Sequence, residues 1–289
     1  MFWQQFTNWI SLGAMYAMLA IGYTMVYGII KLINFAHGEI FMCGAFFTWW
    51  FMSVFHIPLP VAALLGIMMA TGLGIAVERI AYRPLRNAPR FAVVISVLGV
   101  SIFLQNMARI IWGAEFQVFE VDFGIPPLIL GTVIIPFKKI FIFGTSVICM
   151  ASLAVFVKKT YLGKAMRATA ADWEAAEMMG INVNMVIVLT FAIGSAMAAV
   201  AGILFAVNYN SIDPYMGFNA GMKAFAAAVL GGIGNIYGAM LGGLFLGVVE
   251  GVGSAYISSM YRDAFAFGLL ILALIFRPKG LLGEGKTGE

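Results

Sequence analysis

Run length restricts this chain more than any motif in it. Apolar stretches at 10–30, 40–55, 61–77, 91–112, 140–157, 183–207 and 264–276 alternate with short polar loops. Most approach the ~20 residues a helix needs to cross the hydrocarbon of a bilayer. Hydrocarbon offers the backbone no solvent partner, so such stretches must close their hydrogen bonds internally as helices. The expected fold is an all-α polytopic membrane protein with about eight transmembrane helices, one or two broken or re-entrant segments and an internal repeat, built as a single transmembrane domain over residues 1–289. Composition agrees: 62% hydrophobic residues, 10% charged and 33 glycines exclude an ordinary soluble domain. Residues 1–20 lack a basic leading region and a cleavage site, so they read as retained membrane sequence.

Charge sets the orientation. The loop 78–90 carries Arg79, Arg83, Arg86 and Arg90 against Glu78, with Pro84 and Pro89 expected to prevent a continuous helix. The stretch after 157 adds Lys158, Lys159, Lys164 and Arg167. By the positive-inside rule both loops face the cytoplasm. Residues 113–136 hold Glu115, Glu120 and Asp122 and belong on the other side, as does 208–221. Arg277, Lys279 and Lys286 argue for a cytoplasmic C-terminus. Parity then requires 222–253, interrupted at Gly231, Gly232, Gly234 and Asn235, to dip in and return to the side from which it came.

A second interruption lies at 31–39, KLINFAHGE. Paired breaks in two halves are a mark of transporters built from repeats, and the early and late breaks are provisionally matched on that ground. Asn34, His37 and Glu39 could hydrogen-bond the exposed backbone of the break or line a pathway, with backbone satisfaction the simpler reading. Glu250, deep in a late helix, looks isolated, and a charge at that depth costs about 2.5–3.5 kcal/mol on insertion scales. Arg262 and Asp263 are expected to form a local pair, and Arg109 to reach towards the interface. Glycines 243, 247 and 251 repeat every fourth residue and offer a flat helix face for packing.

Enzyme chemistry has no footing. The string GLLGEGKT at 280–287 has the GxxxxGK[ST] spacing but follows a long apolar run and not a strand, so it is not read as a phosphate loop; HExxH, CxxC and GxSxG do not occur, and two histidines make neither a metal site nor a triad. Catalytic and metal-ligating residues are therefore expected to be absent, and Cys43 and Cys149 read as packing residues. A pI near 9.1 does not point to nucleic acid, because no basic stripe with interleaved aromatics is present. If transport is driven by ATP, the ATPase is another polypeptide.

One polar island breaks the apolar pattern: GKAMRATAADWEAAEMMGIN, residues 163–182. Thr169 with Asp172 reads as a capping box and Gly180 as a helix stop. On a 3.6-residue period Ala171, Ala175, Met178 and Met179 share a face. Such a helix either rests on lipid headgroups or docks a soluble partner, and pattern alone favours the headgroups.

Three stretches then carry a resemblance. KLINFAHGE, the segment Arg167 to Ile181, and KAFAAAVLGGIGNIYGAMLGG (223–243), together with the closing FRPKGLLG (276–283), resemble the permease subunits of branched-chain amino-acid ABC importers over nearly the whole chain, in particular the shorter of two homologous permeases. The resemblance implies that the loop 163–182 is a coupling loop that inserts a helix into the partner ATPase, with Thr169, Asp172, Glu174, Ala175, Ala176 and Gly180 as its residues. Glu174-Ala175-Ala176 followed by Gly180 matches the front of the family's coupling motif, while Thr190, Ala192 and Ile193 do not match its end. In that context docking overtakes the headgroup reading.

The resemblance further implies a multi-pass protein of the bacterial cytoplasmic (inner) membrane that moves leucine, isoleucine or valine inward by alternating access. Its partners would be a homologous second permease subunit, two cytoplasmic ATPase subunits that hold ATP and Mg, a periplasmic amino-acid-binding protein and membrane lipid, with no nucleic acid and no cofactor in this chain. A urea or short-amide importer is the nearest alternative; an ion-coupled carrier or channel is the next.

Overall fold

The computed structural model describes residues 2–86, 88–131, 133–277 and 279–283, so Lys286 and Pro278 of the closing motif lie outside the described residues. Its helices are α1 (Phe2–Ile30), α2 (His37–Phe55), α3 (Leu59–Val77), α4 (Arg90–Trp112), α5 (Phe137–Lys159), α6 (Tyr161–Ala171), α7 (Trp173–Met178), α8 (Val183–Tyr209), α9 (Met216–Gly231), α10 (Ile236–Tyr256) and α11 (Arg262–Phe276). Among the described residues eight helices are long and apolar enough to cross a membrane. α9, with 16 residues, is shorter than a full span.

α1 is the axis of the bundle. It is buried along most of its length and packs against α10, α8, α9 and α5. The four-residue glycine period is what lets α10 approach it: a Cβ on Gly243 would strike the Ala17 backbone, on Gly247 the Gly13 backbone, and on Gly251 the Trp9 ring. With no side chain between them the two backbones gain dispersion contact that lipid cannot replace.

All the basic loops gather at one end. Tyr82 Oη donates to the Ile33 carbonyl (3.0 Å), Arg86 pairs with both Glu78 and Asn184, and Trp173 Nε1 donates to the Ile29 carbonyl (2.9 Å). The opposite end carries the acidic 113–136 segment, where β1 (Gln117–Val118) pairs antiparallel with β4 (Ser211–Ile212), and β2 (Leu128–Leu130) with β3 (Val133–Ile135). Pro84 does not stop the third span. A π-helical turn, Glu78–Tyr82, and a 3-10 turn, Arg83–Leu85, carry the helical run to Leu85. Pro84 falls in the first turn of that 3-10 helix, where a missing N–H costs no helical bond.

The first break is real and lies inside the bundle. After Ile30 the chain turns at Lys31 (φ 58°) and climbs back along α1, so that α2 begins with His37 against Gly22 and Tyr23. Gly22 lies eight residues before the end of α1, so α2 starts about 12 Å in from that end at 1.5 Å per residue. The late break is different. Gly231, Gly232, Gly234 and Asn235 form a turn at the basic end, where the closing motif lies against them: Leu281 N–H donates to Leu230 O (2.8 Å), Leu282 N–H to Gly231 O (3.0 Å), and Asn235 Nδ2 to Leu282 O (2.8 Å). Residues 222–253 do return to the side they came from, as parity requires, but through an ordinary turn and not through a break in mid-bundle.

The counterpart of the first break is instead 210–215. Asn210 turns at φ 54° as Lys31 does at 58°. Asp213 Oδ1 accepts from Tyr215 N–H (2.8 Å) as Asn34 Oδ1 accepts from Ala36 N–H (3.1 Å). Met216 N–H donates to Asp213 O (3.2 Å) as His37 N–H donates to Asn34 O (3.1 Å). One residue further on, Gly38 and Gly217 meet back to back, a Cβ on Gly217 falling 2.7 Å from the Gly38 carbonyl oxygen. α1 ends at the basic end and α8 begins there, so the two halves are inverted copies that cross at these glycines.

Candidate functional site

Three groups of polar residues stand out from the apolar bundle. The first surrounds the crossing of α2 and α9. Asn34, His37 and Glu39 are all buried. Asn34 satisfies the broken backbone, as expected, but His37 and Glu39 do not. The His37 ring stacks edge-on against Tyr23 (4.7 Å between centroids), and Glu39 Oε1 accepts from Ser101 Oγ (3.1 Å), halfway along α4. Glu39 lies in the first turn of α2 and beside the start of α9, so the positive ends of two helix dipoles face its carboxylate. Asn34 Nδ2, His37 Nε2 and Glu39 Oε2 have no protein partner.

The second group lies towards the opposite end and was largely illegible beforehand. Glu250 is not isolated: its Oε1 accepts from Lys223 Nζ (3.0 Å), from Tyr16 Oη (3.2 Å) and from Arg262 Nε. Lys223 also meets Asp263 (2.7 Å), and Arg262 Nη2 donates to Tyr209 Oη (2.8 Å). Arg262 and Asp263 are therefore not a local pair; each reaches a different helix, because adjacent residues on a helix point about 100° apart. Two cations and two carboxylates balance here, which is how a bundle interior tolerates charge. A cavity of about 230 Å³ opens beside them, lined by Tyr16, Tyr209, Asp213, Asn219, Lys223 and Arg262. Lys223 carried a signal in the sequence, a lone ammonium inside an apolar segment, that pointed to this cluster. Arg109 packs its guanidinium over the Tyr215 ring at 5.3 Å.

The third group is the loop 163–182, which folds as two helices and not one. Thr169 is no cap: it sits inside α6, fully buried, with Oγ1 donating to the Ala165 carbonyl (2.9 Å). Thr160 caps α6, and Asp172 caps α7 by accepting from Ala175 N–H (3.0 Å). Gly180 stops the segment at φ 80° with open space around it, so a side chain there would meet backbone strain but no neighbour. Ala176 faces inward, Ala175 is half-buried and Glu174 is exposed, while Met178 and Met179 stand 81% and 83% exposed. Flexible thioethers presented this way are suited to pressing into a partner's groove. The Trp173 indole ties the short helix to the last turn of α1, immediately before the turn at Lys31.

Comparison with known proteins adds the following. Residues 5–274 match the family described as branched-chain amino acid transport system / permease component. The chain is 45% identical to the high-affinity branched-chain amino acid transport system permease protein LivH of Salmonella typhimurium, covering 98% of this chain and 96% of that protein. It is 44% identical to the corresponding permease protein BraD of Pseudomonas aeruginosa, covering 97% and 95%. A more distant similarity, 26% identity over 92% of this chain and 88% of the other, is to the probable branched-chain amino acid transport permease protein LivH of Methanocaldococcus jannaschii.

Proposed function

This chain belongs to the family of permease components of branched-chain amino acid transport systems, and on that premise we propose that it is the transmembrane permease of an ATP-driven importer that carries leucine, isoleucine and valine into the cytoplasm by alternating access. The observation that carries the reading is the α6–α7 peg: a capped helix at the basic end, with two exposed methionines outward and an indole anchored on α1. Its partners in this reading are a homologous permease, two ATPase subunits that supply ATP hydrolysis, and a binding protein that delivers substrate to the acidic end. The basic end faces the cytoplasm of a bacterial inner membrane.

The bonds around the peg make a short mechanical route. A displacement of α7 acts through Trp173 on the end of α1 and the turn at Lys31, and so on the buried break that precedes α2. For hydrolysis to do work through this route, the peg must bind the ATPase unequally in its two states. Trp173→Phe keeps the ring and removes only the indole donor. It is expected to leave membrane insertion unchanged and to lower the ratio of leucine transported to ATP hydrolysed about fivefold, the equivalent of one net hydrogen bond near 1 kcal/mol. The measurement is uptake and hydrolysis side by side in proteoliposomes; an unaltered ratio would remove Trp173 from the route.

Substrate class is supported by the outer cavity, whose lining of ammonium, guanidinium and carboxylate groups suits a zwitterion better than a neutral amide such as urea. An ion-coupled carrier is disfavoured because Glu250 is held between two cations and not along a relay of acids. Uptake of radiolabelled leucine and of urea by cells that lack their own systems, with and without ATP depletion, tests the proposal. Leucine uptake that vanishes with ATP is expected; uptake that persists would overturn it.

A further inference from the structure

We infer that the groove at the basic end, between α5 and the α10–α11 pair, is a binding site for the phosphate headgroup of an anionic phospholipid. The groove encloses about 1050 Å³ over the end of α1. Among the described residues Lys31, Lys158, Arg167 and Lys279 line it and no carboxylate does. Among the described residues none of the four forms an ion pair. A concave surface lined by one sign of charge attracts and concentrates counter-ions, and four uncompensated cations repel one another until an anion arrives.

The groove also holds a helix start. Asn235 caps α10 through Gly238 N–H (3.1 Å), which leaves the amides of Ile236 and Tyr237, both lining residues, without helical acceptors. Such a terminus favours phosphate by hydrogen bonding and by its dipole. Away from the charges the walls turn aliphatic, with Ala154, Leu270 and Leu274. This succession, cations and free amides at the rim and hydrocarbon along the depth of the bilayer, is the profile of a phospholipid and not of a free ion. The zwitterionic cargo of the proposed importer would leave most of the charge unanswered. The site does not depend on which solute is carried.

Lys279 reaches the groove only because the closing motif folds back on the turn at Gly231–Asn235, as the Leu281 and Leu282 hydrogen bonds require. The cations of the groove thus come from three separate parts of the chain: Lys31 from the first break, Lys158 and Arg167 from the end of α5 and from α6, and Lys279 from the C-terminal segment.

The test uses the transporter purified with its partner subunits in mild detergent, stripped of lipid and titrated separately with phosphatidylglycerol, phosphatidylethanolamine and inorganic phosphate, with bound species read by native mass spectrometry. Phosphatidylglycerol is expected to be retained in preference to phosphatidylethanolamine, and excess inorganic phosphate is expected not to displace it. Arg167→Gln with Lys279→Gln is expected to weaken phosphatidylglycerol retention roughly thirtyfold. Arg83→Gln with Arg90→Gln, which removes two exposed cations at the same end but outside the groove, is expected to leave it unchanged. The charge-preserving pair Arg167→Lys with Lys279→Arg is expected to retain the lipid, separating loss of charge from loss of fold. Equal retention of the two lipids, an equal loss in the Arg83/Arg90 pair, failure of the charge-preserving pair, or displacement by inorganic phosphate would each overturn the inference, the last in favour of a free-phosphate site.

Discussion

Glu250→Ala is expected to destabilise the bundle by about 3–5 kcal/mol, the range for removing one partner of a buried ion pair. The carboxylate is fully buried and its Oε1 takes donors from Lys223, Arg262 and Tyr16. Without it the Lys223 ammonium keeps only the exposed Asp263, and Arg262 keeps only the Tyr209 hydroxyl. The lost free energy is therefore mostly that of two cations inside the bundle left with one carboxylate between them. This makes a second expectation that a packing defect would not share: Lys223→Ala added to Glu250→Ala should cost less than the sum of the two single changes, with a coupling of at least ~1 kcal/mol. Heat-induced loss of the monodisperse species in detergent measures all three variants. Additive losses would mean that Glu250 matters for its volume and not for its charge.

Gly247→Leu is expected to block assembly of the bundle: overpacking an interface whose side chains can shift costs about 1–3 kcal/mol, and here the obstruction is backbone, which cannot move aside. The position where its Cβ would stand is taken by the Gly13 backbone, and α10 would have to leave α1 altogether. Gly99→Leu supplies the comparison: the same change in another apolar helix, at a glycine with open space around it, should be neutral within about 0.5 kcal/mol. Yield of folded protein extracted from membranes separates the two. A normal yield for Gly247→Leu would remove the close α1–α10 approach as a determinant of the fold.

The glycine period announced this interface because periodicity is a property of one helix and needs no knowledge of its neighbour. The same holds for the spans, the gathering of the basic loops at one end and the stop at Gly180. Each depends on residues within a few positions of one another, or on apolar length against a fixed thickness of hydrocarbon. Thr169 was misread because Thr169 and Asp172 have the spacing of a capping box, and only the backbone shows that Asp172 itself, and not Thr169, holds the oxygen that faces a free N–H. The two breaks were mismatched for a related reason. Glycine-rich GGIGN draws the eye, but the residues that repeat the geometry of Lys31 and Asn34 are Asn210 and Asp213, which share position and hydrogen bonding with them and little else.

By itself, then, the sequence determined a membrane-embedded helical bundle, the gathering of its basic loops on one side and the existence of a polar, helical loop on that side. Only the tertiary structure decided which charges neutralise one another, that Lys223 and Arg262 converge on Glu250, and that the C-terminal motif folds against the turn at Gly231–Asn235. It also decided that the chain is two inverted halves crossing at Gly38 and Gly217. The physical reason is one of range. Helix formation and membrane insertion are governed by neighbours along the chain, whereas ion pairing, close packing and cavity formation are governed by neighbours across it, and many pairings across the chain are compatible with one hydrophobic pattern.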